Sequence, residues 1–261
     1  MAGYHVFPGG TIDSEDTAID TWTPHIDINL EQIERHLGNG RLSHTDLIGF
    51  GIAAIRETLE ECGVLLAIGK SKSARDYTRM ALKRLEKELP KTWFQDRIIQ
   101  ENWTLSFSRL YRWSHWITPE QMQNRYDTRF FVAQMPDNQS CLPDDHETHQ
   151  GLWLTPRAAL EQNLAEAIAL SPPTLATLAQ LMAFETGAAL LQALPDRNWG
   201  DPITPRVTRT PDGPVILEPW DPFYDTVDEI HIQDSSKKVL EPGTWFSRIW
   251  RDGNTWKPIG I

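Results

Sequence analysis

Residues 49–66, GFGIAAIRETLEECGVLL, constrain this chain more than any other segment. Ile52, Ile55 and Leu59 recur at the 3.6-residue period of an amphipathic helix, and Gly63 offers a C-terminal cap. The same helix sets Glu57, Glu60 and Glu61 at i, i+3 and i+4, on one face. Three carboxylates side by side repel one another. A hard cation that prefers oxygen, Mg²⁺ or Mn²⁺, offsets that repulsion. Arg56 stands directly before the acidic triplet, where it can hold a glutamate in a ligating rotamer. A bare ExxEE also suits the solvated face of an ordinary helix, so the surrounding segments decide between the two.

Charge narrows the partners. The formal net charge is −11, from 25 Lys plus Arg against 36 Asp plus Glu. A polyanion binder needs a basic face, so broad nucleic-acid or anionic-membrane binding is excluded as the expected role. No apolar run reaches the ~20 residues that span a bilayer. Cys62 and Cys141 are too few for a disulfide framework and lack CxxC metal spacing, which points to a reducing, cytoplasmic setting.

Along the chain, Phe7-Pro8-Gly9-Gly10 is turn chemistry: Pro sets φ and the glycines permit close backbone approach. A short helix is expected over 29–37, stopped by Gly38-Asn39-Gly40, then helices over 49–66, 73–89 and 92–100. Residues 103–117 and 127–136 read as strands, and 156–164 and 172–192 as helices opened by proline. Residues 195–261 read as short strands rich in Pro, Gly and Trp. Of eleven tryptophans, Trp93, Trp103, Trp113, Trp116, Trp153, Trp245 and Trp250 fall in strand-like segments, where packing is their expected role.

These pieces together resemble the Nudix hydrolases, whose box reads Gly-x5-Glu-x7-Arg-Glu-U-x-Glu-Glu-x-Gly-U, with U apolar. Arg56 to Val64 fits the second half, with Thr58 in the first apolar slot. Gly10 fits the first glycine, and the box glutamate slot falls on Asp16, a shorter carboxylate. Gly10 and Arg56 lie 46 positions apart where the box has 14, an insertion of about 32 residues. Such an insertion is similar to that of the subgroup containing the coenzyme A diphosphatases. Arg125 to Phe131, Trp153 to Pro156 and Pro172 to Thr174 follow in that subgroup's order.

The resemblance implies an α/β fold, a Nudix-type α/β/α sandwich around a mixed sheet, with an inserted helical segment and a β-rich C-terminal tail. The expected division is a Nudix domain over 1–194, with the insertion at about 17–48, and an extension over 195–261. The strand that normally precedes the glycine turn is expected to be missing through a late start. The implied metal ligands for Mg²⁺ or Mn²⁺ are the Gly10 carbonyl, Glu57, Glu60 and Glu61, with Arg56 orienting them. The implied catalytic residues are Glu57, Glu61 and Glu147, the last from the polar loop 144–149. The expected substrate is a small nucleoside diphosphate derivative: coenzyme A or its esters, alternatively ADP-ribose or NADH. A binding module without turnover and a homodimer remain open. His146 and His149 make a weak zinc pattern, Arg125 and Arg129 are either phosphate contacts or partners of Asp127, and Cys62 is expected to pack rather than react.

Overall fold

The computed structural model describes residues 3–69, 73–86, 88–122, 124–142, 151–226 and 238–260. Two short helices, α1 (Ile19–Trp22) and α2 (Leu30–Leu37), precede the long helix α3 (His44–Cys62). At the start of α2, Asn29 accepts the Gln32 backbone N–H and the Gln32 side chain accepts the Asn29 N–H, both at 2.9 Å. This reciprocal cap satisfies amides that a helix start leaves unpaired. Ser43 and Asp46 repeat the device for α3, which therefore begins at His44 rather than at 49. It also stops at Cys62 rather than at 66. Gly63 turns left-handed there, with φ of 69°, and its N–H returns to the Leu59 carbonyl at 2.8 Å. A side chain at that position strains the backbone.

The apolar face of α3 organises the first core. Ile48, Ile52, Ile55 and Leu59 are fully buried and pack with Trp22, Ile33 and Leu37 from the 17–48 segment. Phe94, Ile98, Trp103 and Phe107 close the cluster. Burying such side chains contributes roughly 1.5–3 kcal/mol each before entropy is counted.

Beyond α3 the chain runs to β1 (Ala67–Ile68), α4 (Ala74–Lys83), α5 (Trp93–Gln100) and β2 (Thr104–Leu105), which pairs antiparallel with β1. The hairpin β3 (Tyr111–Ile117) and β4 (Asp127–Val132) carries an irregularity between Arg112 and Ser114. Helices α6 (Pro156–Leu164), α7 (Pro172–Leu181) and α8 (Gly187–Ala193) follow. The chain ends in a four-stranded antiparallel sheet, β5 (Arg206–Thr210), β6 (Gly213–Leu217), β7 (Arg248–Asp252) and β8 (Thr255–Ile259), paired in chain order. Parallel bridges join His5 to Leu170, Ile26 to Leu105 and Trp116 to Ile203, giving the α/β assembly its mixed character. Among the described residues, no helix is long and apolar enough to cross a membrane.

Several boundaries differ from the sequence reading, each for a local reason. The helix expected over 73–89 ends at Lys83, where Arg84 donates to the carbonyls of Ala81 and Leu142 and the chain turns. The strand expected over 103–117 is broken by a 3-10 turn at Phe107–Arg109, because the Ser108 amide and hydroxyl bind the Asp27 carboxylate. The helix expected over 172–192 is two helices, since Thr186 accepts the Ala189 N–H and starts the second. Trp93 lies on α5, within the helix expected over 92–100 and not on a strand, and Trp153 and Trp245 are 73% and 71% exposed rather than packed inside.

The terminal sheet does not stand apart. Ile216, Phe246 and Ile249 share a second core with Trp116, Leu160 and Leu175. The Asn163 side chain spans the junction, donating to the Trp256 carbonyl at 2.8 Å and accepting the Leu170 N–H at 2.9 Å. Just past β6, Glu218 is fully buried, and neither carboxylate oxygen has a hydrogen-bond partner among the described residues. Burial pushes its pKa up to about 8. The unfolded chain gives up this proton near pH 4.5, so the folded state holds one proton more between that value and about 8. Stability is therefore greatest below that window, falls as pH rises through it and levels off above it. Glu218→Gln removes the dependence. Urea unfolding should find the variant more stable than the parent by a few kcal/mol above about pH 8, with the difference vanishing below about pH 4.5. Parallel curves for the two proteins across that range would refute the assignment.

Candidate active site

Helix α3 lays its acidic face against the Phe7-Pro8-Gly9-Gly10 turn, and Arg56 lies at the centre of the contact. The guanidinium has five N–H donors, and all five are used. Nε and Nη2 reach the two oxygens of Asp16 at 3.1 and 2.8 Å. Nη2 also donates to the Thr11 carbonyl at 2.9 Å. Nη1 serves Glu57 Oε1 at 2.7 Å and Glu60 Oε2 at 2.9 Å. Burial acts to lower the arginine's pKa, but Asp16, then Glu57 and Glu60, outweigh it and hold the value above its ordinary one.

Asp16 is 1% exposed and is itself pinned, accepting the Asp13 N–H at 2.9 Å. It stands in the slot where the box has a glutamate. The shorter side chain still closes a two-pronged pair with Arg56 across 40 residues of sequence. The inserted segment thus returns the two halves of the motif to one place.

The carboxylates differ in what holds them. Glu57 sits so close to the turn that a Cβ on Gly10 would meet its carboxylate, so any side chain there would push Glu57 out of its bond to Arg56. Glu60 also accepts from Trp93 Nε1 at 3.1 Å, a contact from α5 that no sequence pattern announced. Glu61 Oε2 accepts the Gly9 N–H at 3.2 Å. Burial raises the pKa values of both Glu57 and Glu60, opposed in each case by Arg56. The face is thus partly neutralised from within, and the self-repulsion expected from spacing alone is smaller than three unpaired anions would give.

Gly10, Arg56, Glu57, Glu60 and Glu61 are therefore brought together. Among the described residues, no three acidic, histidine or cysteine side chains are already arranged as a metal-binding group. Glu57 and Glu60 turn toward Arg56, and Glu61 toward the Gly9 amide. The donor chemistry, carboxylate oxygens beside a glycine backbone, fits a hard divalent cation. Burial raises the pKa values of both Glu57 and Glu60 against the pull of Arg56, so a bound cation would stabilise their charged forms.

Other candidates fall elsewhere. Glu147, His146 and His149 lie outside the described residues. Arg129 pairs with Asp127 at 2.8 Å and covers the Phe50 ring at 4.0 Å. His115 shares the same carboxylate at 2.7 Å. Arg125 is not a partner of Asp127; it donates to the Thr118 carbonyl at 3.4 Å. Cys62, last in α3, has its thiol pushed up to about 12 by burial and by the neighbouring thiol of Cys141. Such a group is a poor nucleophile at neutral pH.

Comparison with known proteins gives a consistent result. The family description "NUDT19 Nudix domain" matches residues 1–181. The acyl-coenzyme A diphosphatase NUDT19 of Homo sapiens is 26% identical, over 95% of this chain and 76% of the relative. The protein of the same name from Xenopus laevis is 25% identical, over 86% of this chain and 68% of the relative. Among solved structures, a Nudix hydrolase from Alicyclobacillus acidocaldarius superposes with a TM-score of 0.54 at 21% identity, covering 75% of this chain and 83% of that one. That likeness shows the α/β fold of the described helices and sheets.

Proposed function

Because the chain belongs to the Nudix family, we propose that it is a divalent-cation-dependent hydrolase of the diphosphate in coenzyme A or an acyl-coenzyme A. The substrate class follows the names of the relatives. The observation that carries the chemistry is the saturated Arg56, which gathers Asp16, Glu57 and Glu60 beside the glycine turn.

In this reading Glu57, Glu60, Glu61 and the Gly10 carbonyl hold Mg²⁺ or Mn²⁺, which would neutralise the diphosphate and lower the pKa of a bound water. Arg56 keeps Glu57 and Glu60 in place, so little reorganisation remains when substrate arrives. The side-chain-free turn at Gly9 and Gly10 lets the phosphates approach the backbone. Water attacks one phosphorus and the bond to the bridging oxygen breaks, leaving a nucleoside phosphate and a pantetheine-linked phosphate. The proton of the attacking water passes to a carboxylate, for which Glu57, Glu61 and Glu147 are the candidates. The reading also takes the two-part division at 194/195 and a reducing, cytoplasmic setting for the chain.

Incubation with Mn²⁺ and a panel of coenzyme A, an acyl-coenzyme A, ADP-ribose and NADH, with chromatography of the products, tests this. The expected result is fastest cleavage of a coenzyme A compound into adenosine 3′,5′-bisphosphate and a phosphopantetheine. Faster cleavage of ADP-ribose or NADH would overturn the substrate assignment. Tight binding without cleavage would overturn the assignment as an enzyme.

A further inference from the structure

We propose that Cys62 and Cys141 form a reversible disulfide, a redox-modification site at the end of the helix that carries the acidic face. The two residues are 79 positions apart and no motif pairs them. The fold does. Cys62 is the last residue of α3, and the Leu142 backbone N–H donates to its carbonyl at 2.8 Å. That bond lays residue 141 alongside residue 62, and the neighbouring Cys141 thiol adds to the burial that raises the Cys62 thiol. Both are free, half-buried and packed against the first core. A disulfide requires Cα atoms about 4.4–6.8 Å apart with the Cβ atoms facing. The backbone bond from Leu142 to Cys62 and the packing of both side chains against one core bring the two residues into that neighbourhood.

Neither thiol has a part in the proposed hydrolysis. With hydrogen peroxide as oxidant, the Cys141 thiol attacks the O–O bond, becomes a sulfenic acid and releases water. The second thiol attacks that sulfur, the S–S bond forms and another water leaves. The pair gives up two electrons and two protons to the peroxide, and a dithiol reductant returns them. The link closes a long loop and restrains the last turn of α3, which carries Glu60 and Glu61. The Glu61 carboxylate reaches the Gly9 N–H at 3.2 Å, so a shift of that turn is transmitted to the glycine turn. Positioned groups tolerate little displacement, and turnover should fall severalfold in the linked form.

The test treats the full chain with hydrogen peroxide and then alkylates it. The expected mass lacks two hydrogens and carries no alkyl group, and a peptide joins Cys62 to Cys141. The unfolding midpoint should rise by several degrees. Turnover should drop and return with dithiothreitol. Cys141→Ser should match the parent before oxidation and keep its turnover afterwards. The turnover arm rests on the proposed hydrolase reading; the mass, peptide and unfolding arms do not. Two alkylated thiols surviving the oxidant, a linkage only between chains, or equal loss of turnover in Cys141→Ser would each overturn the proposal.

Discussion

Arg56→Met should destabilise the protein by about 3–5 kcal/mol, the range seen when one partner of a buried ion pair is removed. Methionine preserves length and apolar bulk but supplies none of the five donors. Asp16, 1% exposed, is left as a buried anion without its guanidinium. The Thr11 carbonyl loses its Nη2 donor, and Glu57 and Glu60 lose the charge that opposes their burial. Arg56→Lys should fall between the two, because an ammonium keeps the charge but cannot serve acceptors in the same planar fork. Urea denaturation of the three proteins measures this directly. The double variant Asp16→Asn/Arg56→Met supplies the control. If the cost is a stranded Asp16 charge, the double variant should be more stable than Arg56→Met alone. Additive losses would show that the arginine acts through packing instead.

The combined Glu60→Gln/Glu61→Gln substitution should have the opposite profile, with turnover lost and the fold retained. Removing two of the carboxylates proposed to hold the cation forfeits several kcal/mol of charge stabilisation on the diphosphate, which corresponds to a fall in kcat of roughly a thousandfold or more. Stability should stay within about 1 kcal/mol of the parent. Spacing alone favours a gain, since like charges on one face repel. The hydrogen bonds limit it. Glu60 accepts from both Arg56 and Trp93, and a glutamine there directs its NH₂ toward one of those donors. Glu61 accepts from the Gly9 N–H, which a glutamine oxygen still satisfies. Steady-state kinetics with a coenzyme A substrate, beside a thermal melt, separates this variant from Arg56→Met. Full activity in the double glutamine would remove the acidic face from the mechanism.

The acidic face was legible because it needs only one helix. Periodicity sets Ile52, Ile55 and Leu59 against Glu57, Glu60 and Glu61 whatever the rest of the chain does, and all three apolar residues are fully buried. Asp16 was legible as a slot in a pattern, but its bond to Arg56 spans 40 residues and required the fold. The Trp93 contact to Glu60 spans 33 residues and belongs to a tryptophan read as strand packing. Boundaries failed where a side chain competes with the backbone. Arg84 takes up the Ala81 carbonyl near the end of α4, Asp27 bends 103–117 through Ser108, and Thr186 restarts a helix that composition alone ran through. The adjacency of Cys62 and Cys141 was hidden for the same reason: nothing local encodes a contact at that separation.

The central claim is that the face of α3 beside the glycine turn holds the catalytic cation. Crystals soaked in Mn²⁺ and measured at the manganese absorption edge test it most directly. The expected result is an anomalous peak about 2.0–2.6 Å from oxygens of Glu57, Glu60 or Glu61 and close to the Gly10 carbonyl. A Mn²⁺-soaked crystal with no peak there, the three carboxylates still turned to Arg56, Trp93 and the Gly9 amide, would contradict the claim.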